Sequence, residues 1–197
     1  MVTFDDYLGL LQATLKGIDR DAFQAMVAIV QHTYGNDKVI YVCGNGGSAA
    51  TATHMVNDLV KAPAEASGRR PIRAIGLADN MSLVTAYAND IAYAQIFSKQ
   101  IEALARPGDL LVAISGSGNS PNVLEAAKTA RAQGLNVVGM TGFDGGALKD
   151  IVDVHLNAPC TCIAVAEDAH LILEHALVEA LKTALGGRSA ACSGGCA

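Results

Sequence analysis

The chain has 197 residues, a formal net charge of −5 and no apolar run long enough for a membrane span. The acidic balance gives no electrostatic basis for nucleic-acid binding, and the first residues lack the basic start of a signal peptide. Hydrophobic residues make up 51% of the chain, enough for one domain with a substantial core. We therefore predict a cytoplasmic protein without a direct nucleic-acid or membrane partner. The five cysteines lack the spacing of a zinc ribbon or a disulfide framework.

The predicted elements begin with two amphipathic helices, over residues 4–15 and 21–34. An apolar run at 39–43 then indicates a strand buried on both faces. Helices and strands alternate from there on, and 62–71 is interpreted as a loop. Further strands are predicted at 72–77, 110–114, 136–140 and 152–156, and helices at 49–61, 80–88, 92–105, 120–133 and 164–185, with a short one near Ala147.

This alternation predicts an α/β fold, a three-layer α/β/α sandwich with a central parallel sheet. No change of composition marks a second domain. We expect one domain over residues 1–186, including an N-terminal helical extension over about 1–35. The small, polar residues 187–197 are expected to form a flexible tail, which contains Cys192 and Cys196.

Glycines and a serine follow the first predicted strand directly, in Gly44-Asn45-Gly46-Gly47-Ser48. At a strand-to-helix junction, such a loop lets backbone N–H groups approach an anion near the positive end of a helix. It is neither a Walker A loop nor a complete dinucleotide fingerprint, so no nucleotide cofactor is predicted. Taken alone, a loop of this kind is more often only a tight connection.

A second loop, Ser115-Gly116-Ser117-Gly118-Asn119-Ser120-Pro121, follows the strand predicted at 110–114. Capping the next helix needs only one of its serines, so two hydroxyls remain to hold a phosphate monoester. Both loops should lie at the carboxyl edge of the sheet, where such folds bind ligands. The predicted phosphate-binding residues of the two loops are Asn45, Gly46, Gly47, Ser48, Ser115, Gly116, Ser117 and Ser120.

Four segments occur in one order along the chain: GNGGSAATATH at 44–54, TAYAND at 85–90, AISGSGNSPNVL at 113–124 and TGFDGG at 141–146. The sequences of these segments and their order resemble those of the sugar isomerase (SIS) domain family, and most closely those of its bacterial phosphoheptose isomerases. The resemblance implies conversion of sedoheptulose 7-phosphate to D-glycero-D-manno-heptose 7-phosphate through an enediol, by a homotetramer. It also implies that Asp90 faces the substrate, although Asp90 suits a helix-ending turn equally well.

Moving a proton between C1 and C2 of a sugar requires a base and a group that stabilises the enediolate. His54 and Asp58 are four residues apart on one predicted helix, and so share a face. Glu167 and His175, eight apart on the last helix, nearly share one. On spacing alone, the better interpretation is that the two acids are solvated on the helix surface and the two histidines are packed or hydrogen-bonded, without a catalytic role. The resemblance instead implies Asp58, Glu167 and His175 as catalytic groups, with His54, Asp58, Glu167 and His175 as ligands of one Zn²⁺.

The chain departs from the family pattern at three places. Asp58 stands where the family usually has glutamate, and Glu167 where it usually has glutamine. Residues 60–63, at the end of the helix predicted over 49–61, contain no arginine where the family often has one facing the phosphate, so Lys61 or Arg69 would have to replace it. These differences leave two alternatives open. One is an isomerase for a different ketose phosphate, and the other is a non-catalytic SIS module that binds a sugar phosphate or a partner protein.

Overall fold

The computed structural model describes residues 2–186 and opens with two helices, α1 (Phe4–Gly17) and α2 (Arg20–Gly35). Helix α1 begins with a capping box between Thr3 and Asp6, which satisfies backbone N–H groups at both positions. Its Tyr7 hydroxyl donates a hydrogen bond to Asp168, 2.6 Å away on the last helix. The predicted flexible tail, with Cys192 and Cys196, lies outside the described residues.

Within residues 2–186 a parallel sheet of five strands forms the centre of the fold, in the order β2-β1-β3-β4-β5. The strands are β1 (Ile40–Cys43), β2 (Ala74–Gly76), β3 (Leu110–Ser115), β4 (Asn136–Gly142) and β5 (Val154–Ala158). The remaining helices are α3 (Gly47–Ser67), α4 (Met81–Asp90), α5 (Ser98–Leu104), α6 (Pro121–Ala132) and α7 (Ile163–Ala184), with 3₁₀ turns at Tyr93–Gln95 and Leu148–Asp150. The predicted fold class is confirmed.

Alternate residues of β1 enter two separate cores, as expected for a strand covered on both faces. Ile40 and Val42 pack in a core with side chains from α2, α3 and α7. Tyr41 and Cys43 pack on the opposite face, where α5 and α6 cover the sheet. No helix among the described residues has both the length and the apolar character that crossing a bilayer requires.

The strand order places the two glycine- and serine-rich loops next to each other. Strands β1 and β3 are hydrogen-bonded neighbours, but the connection after β1 leads to β2 on one side and the connection after β3 leads to β4 on the other. Chain paths that diverge in this way open a crevice at the carboxyl ends of the two strands. Both loops begin at that edge of the sheet.

The expected loop at 62–71 is wrong in its first half, because α3 continues to Ser67 with Pro63 inside the helix. Proline lacks an N–H and usually ends a helix. Here the Pro63 ring is buried, and its carbonyl accepts a hydrogen bond from the Ser67 hydroxyl at 2.7 Å. The helix ends one turn later, at Gly68, whose φ of 67° is the left-handed conformation that glycine adopts without strain.

Several other element boundaries also differ from prediction, two of them clearly. The helix expected over 92–105 is divided into the 3₁₀ turn Tyr93–Gln95 and the short helix α5. Strand β5 lies two residues later than predicted, because Asp153 is used as a side-chain acceptor for the N–H of Val137 at 2.8 Å. Neither difference moves a residue of the predicted site.

Candidate active site

The two loops are joined by a reciprocal pair of amide hydrogen bonds. Asn45 donates to Asn122 at 2.8 Å, and Asn122 donates back to Asn45 at 2.8 Å. Asn122 is buried in the first turn of α6, directly after the second loop. We call the joined loops, residues 44–48 and 115–120, the cradle. Asn122 was not among the predicted residues, although its place after Pro121 in the second motif was a usable signal.

The cradle presents hydroxyls and an uncapped helix end. Ser115 is buried and donates to the Ser120 hydroxyl at 3.1 Å, while the exposed Ser117 accepts from the Asn119 N–H at 3.2 Å. Helix α3 has no side-chain cap: its N-cap is Gly46, at a φ of 54°. An uncapped N-terminus leaves N–H groups and the positive end of the helix dipole available to an anion. These are the properties expected of a phosphate site.

Asp90 ends α4 and is exposed, with its carboxylate accepting a hydrogen bond from Asn89 at 2.7 Å. The next residues approach the cradle more directly, since the Tyr93 hydroxyl donates to Asn45 at 3.0 Å. The segment that contains Asp90 is therefore anchored beside the cradle. Its predicted contact with substrate stays a prediction.

Four side chains from α3 and α7 meet in what we call the polar cluster: His54, Asp58, Glu174 and His175. One ligand atom from each lies within 4.8 Å of all the others. The two histidine Nε2 atoms are 3.3 Å apart, and the nearest Asp58 oxygen lies 3.6 Å from His54 and 4.0 Å from His175. Three of the four residues are the predicted ones, so the structure brings His54, Asp58 and His175 together.

Glu174 is the member of the cluster that the sequence analysis missed. Its side chain is fully buried, and neither carboxylate oxygen has a hydrogen-bond partner. One of its carboxylate oxygens lies 3.4 Å from His175 Nε2. Burial, and secondly the Asp58 carboxylate, raises the pKa of Glu174 to about 7.

Glu167 lies about two turns closer to the start of α7, outside the group of four. Its half-buried carboxylate rests against Gly47 at the start of α3, so closely that a Cβ at Gly47 would lie 2.4 Å from the carboxylate atoms. The two residues line a pocket of about 220 Å³ that also reaches His54. Glu167 thus occupies the space between the first loop of the cradle and the polar cluster.

A larger pocket, of about 440 Å³, lies at the opposite, amino-terminal edge of the sheet. Its cationic side chains are engaged locally: Lys38 bonds the Pro107 carbonyl, Arg73 the Asp37 carbonyl, and Arg106 the Ala105 carbonyl. The smaller pocket is the one that adjoins both the helix terminus and the imidazoles. We therefore place the candidate active site at the carboxyl edge.

A family model described as "SIS domain" matches residues 4–142. The chain belongs to the SIS domain family. Among curated relatives, it is 43% identical over 164 residues to the phosphoheptose isomerase of Geotalea daltonii, covering 83% of this chain and 84% of that protein. It is 38% identical over 181 residues to the phosphoheptose isomerase of Chlorobaculum parvum, covering 91% and 87% of the two chains.

Solved structures agree with this assignment. The phosphoheptose isomerase GmhA of Neisseria gonorrhoeae superposes with a TM-score of 0.81 at 36% identity, over 91% of this chain and 95% of that one. The phosphoheptose isomerase of Francisella tularensis gives a TM-score of 0.85 at 29% identity, over 91% and 94%. The predicted family membership is confirmed.

Proposed function

We propose that this protein is an aldose–ketose isomerase that interconverts sedoheptulose 7-phosphate and D-glycero-D-manno-heptose 7-phosphate. The observation that carries this choice is the 38% identity to a phosphoheptose isomerase across 91% of the chain. The site supports it, because the first loop of the cradle begins helix α3, which also carries His54 and Asp58 of the polar cluster. The proposed reaction requires both binding of the phosphate and transfer of a proton.

The cradle holds the substrate phosphate. Neutral serine hydroxyls and the uncapped start of α3 donate hydrogen bonds to the phosphate oxygens without adding a charge of their own. His54 is seven residues beyond Gly47 on α3, which is about 10 Å of helical rise. A seven-carbon sugar phosphate held at one end can extend along this distance, so its C1 and C2 reach the polar cluster.

Asp58 and His175 exchange the proton between C1 and C2. Their polar atoms lie 4.0 Å apart, near enough for one to remove the proton from carbon while the other serves an oxygen of the enediol. Glu167, in the pocket between cradle and cluster, is the third predicted catalytic group. Its position lets it bind the sugar hydroxyls between the phosphate and the reacting carbons.

One Zn²⁺ fits the polar cluster. In a tetrahedral site with metal–ligand bonds of 2.0–2.1 Å, the ligand atoms lie about 3.3–3.4 Å from one another. The Nε2 atoms of His54 and His175 are 3.3 Å apart. A buried carboxylate without a hydrogen-bond partner is a further sign that a cation belongs there. When bound, the ion would polarise the substrate carbonyl and stabilise the enediolate oxygen. His54, Asp58 and His175 would hold it, and the sequence predicts Glu167 as the fourth ligand. With the ion bound, Asp58 would exchange the proton through its other oxygen, and His175 would act as acid or base only when its Nε2 is not a ligand.

A homotetramer and a cytoplasmic location complete the proposal. Exposed apolar side chains on α1 and α7, among them Phe4, Leu10 and Ile172, support self-association. Light scattering coupled to size-exclusion chromatography tests the tetramer, and cell fractionation tests the location.

The test is an NMR assay in D₂O with sedoheptulose 7-phosphate, run with and without Zn²⁺. The expected result is product formation with deuterium entering at C1 or C2. Silence with this sugar, but exchange with another ketose phosphate, would contradict the proposed substrate and support the alternative isomerase. Binding without exchange for every ketose phosphate would contradict catalysis and support the non-catalytic SIS module.

A further inference from the structure

Glu174 is buried in an arrangement that is unfavourable without a cation. Its carboxylate is fully enclosed, has no hydrogen-bond donor, and faces a second carboxylate on Asp58. A buried polar group without a partner is costly, and two neighbouring carboxylates increase the cost. The imidazole of His175 comes within 3.4 Å of the Glu174 carboxylate but makes no hydrogen bond to it. The group has the composition of a ligand set.

Glu167 and Glu174 of α7 differ in how they meet this group. Glu174 has a carboxylate oxygen 3.4 Å from His175 Nε2, and its ligand atom lies within 4.8 Å of those of His54 and Asp58. Glu167 does not belong to that set; its carboxylate rests against Gly47 at the start of α3. The seven residues between them are about two helical turns, or about 10 Å along α7.

We propose that Glu174 is the fourth protein ligand of the divalent ion, so that the site is a two-histidine, two-carboxylate centre formed by His54, Asp58, Glu174 and His175. This inference rests on the metal site of the proposed function and changes one of its predicted ligands. Carboxylate oxygens and imidazole nitrogens are common Zn²⁺ ligands. The ion satisfies the buried carboxylate, and Glu167 is left free to contact substrate from the pocket.

The arrangement has a consequence for charge. Two carboxylates and two neutral imidazoles balance the two positive charges of the ion. A centre without net charge is less costly to enclose between two helices than one with a single carboxylate. Ligation by Glu174 therefore explains why this chain carries an acid at a position that otherwise faces the packed interior.

The test compares matched variants, Glu174→Leu and Glu167→Leu, in the full chain. Zinc affinity is measured by competition with a chelating dye, and the ligand field by the visible absorption of the Co²⁺-loaded protein. Changes beyond the ligands themselves commonly cost 10–100-fold in affinity. We expect Glu174→Leu to lose at least about 100-fold and to change the Co²⁺ spectrum. Glu167→Leu should keep the affinity and the spectrum.

As a control for folding, the thermal stability of each variant is measured in the presence of a chelator. Removing a buried carboxylate that has no partner should leave the metal-free protein at least as stable to heat as the parent. Zinc should then raise the melting temperature of the parent much more than that of Glu174→Leu, because only a bound ion stabilises the folded state. If Glu174→Leu fails to fold, Glu174→Gln replaces it, with a smaller loss of affinity expected because the amide oxygen remains.

The opposite pattern overturns the inference: unchanged zinc affinity and Co²⁺ spectrum in the Glu174 variants, or a loss confined to Glu167→Leu. A parent protein that takes up neither ion also overturns it. The isomerase assay tests the proposed function independently of the ligand assignment. Zinc binding through Glu174 without sugar isomerisation would contradict the proposed function but support the ligand assignment. Isomerisation by a protein that binds no metal would support the proposed function but contradict the ligand assignment.

Discussion

The cradle and the polar cluster share helix α3 but differ in how their polar groups are satisfied. In the cradle, Asn45 and Asn122 bond each other twice, and Ser115 bonds Ser120. In the cluster, carboxylates and imidazoles crowd together, and the buried Glu174 carboxylate has no hydrogen-bond partner. The cradle side chains bond one another and leave the uncapped start of α3 open to an anion, whereas the cluster encloses a carboxylate without a hydrogen-bond partner. The proposed binding end and the proposed reactive end therefore differ in what they lack.

Asp58→Asn should give the largest effect, because it removes a proposed acid–base group from the proposed reactive end. We expect kcat to fall by about 10²–10⁴-fold with little change in KM. Glu65→Gln, at an exposed acid of the same helix, is the matched control and should keep full activity. A rise in KM without loss of kcat in Asp58→Asn would break the division between the two ends.

Ser115→Ala should affect the binding end instead. Losing one hydroxyl that bonds a charged phosphate costs about 1.5–3 kcal/mol, so KM should rise roughly 10–100-fold while kcat changes less. The exposed Ser82→Ala on α4 serves as control. Steady-state kinetics of the three proteins give the comparison. An unchanged KM for Ser115→Ala would place the phosphate elsewhere.

The amide pair that joins the two loops should contribute to stability. Asn45→Ala leaves the buried Asn122 amide without its partner, and we expect a loss of about 1–3 kcal/mol in the free energy of unfolding. Tyr93→Phe removes only one bond to Asn45 and should cost less. Urea denaturation measures both. Equal losses in the two variants would show that the pair does not hold the cradle together.

His170 should give the smallest effect, on the pH dependence of stability. It is fully buried, donates from Nε2 to the Thr141 carbonyl, and leaves Nδ1 without a partner; burial lowers its pKa. His155, whose pKa burial also lowers, contacts the hydroxyl of the same threonine. Because the unfolded chain takes up a proton near pH 6.5 and the folded chain does not, stability is full above that pH and declines below it.

His170→Gln keeps a donor for Thr141 but cannot titrate, so its stability should decline less steeply from pH 7 to pH 5. Urea denaturation across this range measures the slope, with the exposed His32→Gln as control. Parallel curves for the parent and His170→Gln would contradict the assignment of a neutral buried imidazole.

Much of the fold was predictable because its signals are local. The apolar run at 39–43 predicts strand β1, and the two glycine- and serine-rich loops predict the cradle. Glu174 was not recognised, because an acid on a helix is usually solvated. Its signal is positional: His170 and Val178, four residues away on either side, are both buried. Glu174 faces Asp58 only because of the way α3 packs against α7. No local sequence pattern predicts that packing.

The place of α7 at the end of the described chain has a consequence for biosynthesis. Two of the four cluster residues, with Glu167, lie on this helix, while the cradle and the sheet precede it. Domains generally begin to fold from the segments that leave the ribosome first. A nascent chain therefore carries the cradle residues before it carries the whole polar cluster, and proteolytic loss of α7 should abolish the proposed proton transfer while sparing the residues proposed to bind phosphate.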